Sequence, residues 1–136
     1  CSELSKKSNR IHLLQNEDYD IIPYYLSADM LISDISSTLF EYLPVDKPII
    51  QAQCYNLKLK HRIFKKRFWK KMDIDRQDNV DFAYQIVESD DILGMVYYAM
   101  DNQDEMSSKR KEATEHYLYK VDGNASSRLI DAIEAY

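Results

Sequence analysis

The 136 residues include 18 basic and 23 acidic side chains, for a net charge of −5, and 45% are hydrophobic. This balance excludes a disordered tail and supports one domain with its own core. Only two glycines and three prolines are present, which excludes a glycine-rich phosphate loop and argues against a turn-rich β-sandwich. The two cysteines, Cys1 and Cys54, make neither a disulfide framework nor a metal site. No apolar run approaches the roughly 20 residues needed to span a bilayer, and no signal peptide is visible. The polar start at Cys1 reads as the middle of a longer protein in a reducing, cytoplasmic setting.

In chain order, the apolar run at 10–14 predicts a buried strand. At 18–28, Ile21, Ile22, Tyr25 and Leu26 keep helical spacing, and Pro23 suits a first turn. Residues 29–35 predict a strand with Met30, Leu31, Ile32 and Ile35. A helix follows from Ser36, with Leu39, Phe40, Leu43 and Val45 as its apolar positions and a capping-box spacing from Thr38 to Glu41. After a proline-marked turn, 46–53 predicts a third strand. Residues 81–89 predict a last short strand. Residues 90–102 predict a helix capped by Ser89 or Asp90, with Ile92, Leu93, Val96, Tyr97 and Met100 as apolar positions. A helix capped by Ser107 is expected at 107–120, then a turn at Asp122-Gly123 and a final helix carrying Leu129, Ile130 and Ile133. Strand and helix alternate over short connections, the pattern of a Rossmann-like α/β fold: a parallel sheet with flanking helices.

The chemistry concentrates at 34–41. In open parallel sheets, ligands sit where strands end and helices begin. The strand predicted at 29–35 ends there, just past Asp34, and Ser36, Ser37 and Thr38 open the next helix. Free backbone N–H groups and small hydroxyl side chains suit an anion, which must approach the backbone closely. Asp34 would repel a phosphate and fits better as an orienter of the loop. Glu41, one turn on, could accept hydrogen bonds from ribose hydroxyls. Plain helix capping by Ser36 or Ser37 is the commoner use of such residues, and Glu41 is equally read as a solvated helix residue.

These residues carry a resemblance. The segment 28–50, with Asp34, Ser36, Ser37, Glu41, Lys47 and Pro48, resembles the nucleotide-site segment of the CDP-glycerol glycerophosphotransferases, the teichoic-acid polymerase and primase family. There a strand ends in Asp-x-Ser-Ser, a helix with an acidic residue follows, and a Lys/Arg-Pro-apolar strand comes next. The closing stretch 119–133 is similar too, with Asp122, Gly123, Ala125 and Arg128 in place. The likeness runs from about residue 20 to the end. It implies the C-terminal, nucleotide-binding half of a two-domain GT-B-like fold, and transfer of glycerol phosphate or a related polyol phosphate from a CDP-activated donor to a hydroxyl acceptor. Ser36, Ser37 and Thr38 would hold the donor phosphates, Asp34 would orient the site, and Glu41 would face the ribose. The family's catalytic histidines lie in upstream motifs, and His12, His61 and His116 have no matching His-Pro context, so no catalytic residue is expected in this piece. No cofactor and no metal are expected, because the activated donor is itself the substrate. Glu41 stands where the family more often has Asp, and a basic loop replaces an acidic-aromatic one. A different polyol, or a sugar-nucleotide glycosyltransferase of the same architecture, is the alternative.

That loop, 57–71, holds eight of the 18 basic residues and no acid, so the rest of the chain carries −13. A solvated helix face is one reading. The other is contact with an anionic membrane surface or a lipid-linked or polymeric acceptor through Lys65, Lys66, Arg67, Trp69 and Lys70. It would place the protein at the inner face of the cell membrane, and it leaves open a non-catalytic module that binds an anionic polymer or membrane. Overall acidity and the lack of base-stacking motifs argue against nucleic acid. His116, with Glu112 and Glu115 on its helix, reads as surface decoration rather than a metal site.

Overall fold

The computed structural model describes residues 6, 8–14, 20–34, 36–53, 80–87 and 91–136. The basic segment 57–71, with the five residues read as a membrane or acceptor contact, lies outside them.

Among the described residues, three parallel strands form the sheet: β1 (Leu31–Ser33), β2 (Ile49–Ala52) and β3 (Tyr84–Ile86), in the order β1-β2-β3. Leu31 pairs with Ile49 and Ser33 with Gln51 across the first ladder, and Gln51 pairs with Gln85 across the second. Helix α1 (Ile22–Ser27) precedes β1, and α2 (Thr38–Glu41) with a 3-10 turn (Leu43–Val45) joins β1 to β2. Helices α3 (Ile92–Asp101), α4 (Ser107–Leu118) and α5 (Ala125–Glu134) follow β3.

Side chains on a strand alternate between its faces, and β2 divides the core accordingly. Ile49 packs with Tyr25, Leu39, Tyr42, Leu43, Phe82 and Ala113, beneath α2, the 3-10 turn and α4. Its neighbour Ile50 packs with Tyr84, Ile86 and Ala99, against α3. The sheet is thus the middle of three layers, and its central strand is buried on both sides, as a parallel sheet requires. Edge-to-face rings of Phe40 with Phe82 and with Tyr117 tie α2 to the turn before β3 and to α4, with centroids 5.5 and 4.9 Å apart.

Several expectations are corrected. Residues 11–14 form no strand; Ile11 and Leu14 are exposed, and an apolar run joins a parallel sheet only when both its faces are covered. The sheet's first strand is therefore the one predicted at 29–35. In α1 only Tyr25 is buried, while Ile22 and Leu26 face out. In α3 the buried position is Ala99, whereas Leu93 and Tyr97 are exposed. Asp91 occupies its N-cap position, without a side-chain cap bond. Ser107 does not cap α4: Met106 is the N-cap, and the Ser107 hydroxyl donates to Asp46 instead. The turn at Asp122-Gly123 is present. Gly123 has φ +73°, the left-handed region that costs glycine nothing, and Asp122 accepts from the N–H of Asn124 and from Arg128 at 2.9 Å to lead into α5.

A partly buried ionic cluster fastens α4 to the chain before β2. Asp46 follows the 3-10 turn at φ +52°, a left-handed conformation that Asp tolerates better than most residues. Its carboxylate accepts from Arg110 Nε at 2.9 Å and Ser107 Oγ at 2.8 Å, and Lys111 Nζ lies 3.2 Å away. Arg110 is fully buried. Its Nη2 donates to the carbonyls of Asp46 and Gln103 at 3.1 and 2.9 Å.

Candidate functional site

The segment 34–41 leaves the carboxyl end of β1 and turns at once into α2. A strand that ends in small polar residues, followed by a chain that must reverse over the sheet, leaves the α2 N-terminus above that end. Leu31 and Ile49 pack beneath Leu39 and Leu43, so Ser33 and Gln51, two residues further along each strand, share that face.

The hydroxyls of Ser33 and Thr38 lie 3.0 Å apart, and either can donate to the other. Whichever accepts still has its own O–H to offer outward. Ser36 Oγ accepts from the Thr38 N–H at 3.4 Å, the edge of hydrogen-bonding distance. Ser37 is the N-cap of α2 but makes no side-chain cap bond. Its φ −58° and ψ −25° are helical, whereas a capping side chain needs extended backbone to reach back. The capping box expected from Thr38 to Glu41 does not form, because Thr38 lies inside the helix and its hydroxyl is turned to Ser33. Ser37 and Asp34 are exposed, and Ser36 is half-buried.

Glu41 is exposed, and its Oε2 accepts from the Tyr25 hydroxyl at 3.3 Å. Burial, then the Glu41 charge and this hydrogen bond, push the Tyr25 phenol up to about 12. Glu41→Gln is expected to bring that pKa down while leaving it above 10, since burial remains; ultraviolet titration of tyrosinate checks this. Lys47 and Pro48 stand at the opposite end of the sheet. The Lys47 ammonium donates to the carbonyl of Ala28 at 2.8 Å, and the Tyr42 hydroxyl reaches the same carbonyl at 3.1 Å. The lysine of the motif therefore braces the start of β1 and β2 and stands apart from the serines.

Asp34, Ser36, Ser37 and Thr38 are thus brought together at one end of the sheet, and Glu41 follows on the same short helix. Reading the chain for local motifs missed Ser33 and Gln51. The signal was present: a glutamine inside the apolar strand predicted at 46–53 has to be buried, and a buried amide needs partners. Elsewhere, Asp81, Lys109, Glu112, Ala113, Glu115, His116 and Tyr117 line a hollow of about 430 Å³ that shares no residue with 34–41. Among the described residues, no group of three or more His, Cys, Asp or Glu side chains could hold a metal ion. Nor is any described helix long and apolar enough to cross a membrane.

A family model described as CDP-glycerol:poly(glycerophosphate) glycerophosphotransferase matches residues 2–135. Among curated proteins, the minor teichoic acid biosynthesis protein GgaB of Bacillus subtilis (strain 168) is 23% identical over 118 residues. The aligned region covers 87% of this chain and 12% of that protein's length, so the chain spans a small part of its relative. No solved structure matches. With a family match over nearly its whole length, the chain belongs to the CDP-glycerol:poly(glycerophosphate) glycerophosphotransferase family.

Proposed function

We propose that this chain is the donor-nucleotide-binding part of a CDP-glycerol or other CDP-polyol phosphotransferase, with the architecture of the C-terminal half of a GT-B fold. The complete enzyme transfers a polyol phosphate to the hydroxyl of a lipid-linked or polymeric acceptor, in the synthesis of a teichoic-acid-like or capsular polymer at the inner face of the membrane. The observation that carries this reading is the position of Ser36, Ser37 and Thr38 beyond the carboxyl end of β1, beside the central strand of a parallel sheet. Phosphates favour that place because backbone N–H groups there lack intrahelical partners.

The chemistry is substitution at phosphorus. An acceptor oxygen, deprotonated by a base from the longer protein, attacks the donor's β-phosphate. The new P–O bond forms as the bond to the α-phosphate's bridging oxygen breaks, and CMP leaves with the electron pair. Negative charge builds on that leaving group, and the N–H groups and hydroxyls at 36–38 stabilise it. Asp34 orients the loop, and Glu41, held by Tyr25, faces the ribose. The double substitution Ser36→Ala with Ser37→Ala tests the site: CDP affinity is lost while the fold survives. Unchanged CDP affinity in that variant refutes it.

A further inference from the structure

The central strand carries one side chain that packing does not explain. Gln51 is fully buried between Ile50 and Ala52 in β2. An aliphatic side chain would fill this position at no polar cost. Its Oε1 accepts from Gln53 Nε2 at 3.2 Å, which fixes the amide's orientation. Its Nε2 is buried without a hydrogen-bond partner among the described residues. An amide nitrogen carries two N–H donors, and native interiors seldom leave such a group unsatisfied. Gln51 pairs with Ser33 across the β1–β2 ladder, so its side chain shares a face with the Ser33–Thr38 hydroxyl pair. The orphaned donor therefore stands at the same end of the sheet, and on the same side, as Ser36, Ser37 and Thr38.

We propose that Gln51 is a positioning residue for the nucleoside diphosphate, its Nε2 supplying a neutral donor to an acceptor oxygen of the bound ligand. The proposal rests on the reading of 34–41 as a nucleotide site. A neutral amide suits the place: it gives directional hydrogen bonds to a phosphate oxygen without burying a cation, which would need a permanent partner in the empty state. Gln53, by occupying the amide oxygen, leaves Gln51 able only to donate towards the ligand. The unsatisfied donor is then a cost carried by the ligand-free protein and relieved on binding.

The test is Gln51→Met, close in length and without polar hydrogen, made in the longest native chain that carries these residues. CDP binding is measured by calorimetry and ligand-free stability by thermal unfolding. The proposal expects the Tm to hold or rise while CDP affinity falls about tenfold. Gln53→Ala, at a partly exposed position, releases the amide and is expected to weaken CDP about threefold, a reading available even if Gln51→Met does not fold. CDP affinity equal to wild type in these variants overturns the proposal alone, leaving the nucleotide site standing. If the wild-type protein itself binds no CDP, the nucleotide reading falls and this proposal with it.

Discussion

Asp46→Ala is expected to destabilise the protein by about 3 kcal/mol, the low end of the roughly 3–5 kcal/mol seen when a buried ion pair loses one partner. The cost lies chiefly in what is left behind. Arg110 is fully buried; without Asp46 it keeps two carbonyls but, among the described residues, no ion-pair partner. The low end applies because the Asp46 side chain is itself 30% exposed, so water can reach part of the cluster. Ala is also a poorer occupant of φ +52° than Asp. Asp46→Asn keeps the shape and the left-handed tolerance and is expected to lose less, about 1–2 kcal/mol. Urea unfolding at pH 7 measures both. Against a typical total of about 5–15 kcal/mol, such losses are large.

The same carboxylate sets an acid limit. Burial pushes the Asp46 pKa up, but hydrogen bonds from Ser107, Arg110 and Lys111, with the Arg110 charge, together hold it below its ordinary 3.8. A carboxyl whose folded pKa is depressed contributes stability above its unfolded pKa and loses it as pH falls through the folded value. The wild-type protein should therefore lose stability as pH drops below about 4, and Asp46→Asn should lose less over that range.

The second large effect is on binding. Replacing Ser36 and Ser37 by Ala together is expected to weaken CDP at least 100-fold, because each hydroxyl donated to a charged phosphate is worth about 1.5–3 kcal/mol. Stability should change by less than about 1 kcal/mol. The geometry explains the asymmetry. Among the described residues, the Ser36 hydroxyl makes only the 3.4 Å contact to Thr38, and the Ser37 hydroxyl makes no cap bond. Little in the ligand-free fold depends on either. If these serines were helix caps and nothing more, the double variant would instead lose about 1–2 kcal/mol of stability and leave CDP affinity untouched.

Much of this was legible along the chain. The three strands that pair are runs of apolar residues bounded by turn chemistry, and the Asp-x-Ser-Ser signature marks the end of β1 without any knowledge of the fold. What stayed hidden was what depends on distant partners. Periodicity placed Ile22, Leu26, Leu93 and Tyr97 on apolar faces, yet only Tyr25 and Ala99 of those helices are buried, since spacing cannot say which turn meets the sheet. The stretch 10–14 has strand composition, but Ile11 and Leu14 are exposed. Ser107 was a natural cap by local rule, but a carboxylate 61 positions away claims its hydroxyl. The partnership of Tyr25 with Glu41 and the orphaned amide of Gln51 likewise follow from register and packing, which no local pattern encodes.

The most direct measurement is an NMR titration of the native chain with CDP, CDP-glycerol, UDP and inorganic phosphate. A cytidine donor site predicts selective amide shifts at Ser36, Ser37, Thr38 and Glu41 with CDP and CDP-glycerol, weaker ones with UDP and the weakest with phosphate. Amides at 36–41 that respond to none of the four, or respond equally to UDP and CDP, would contradict it.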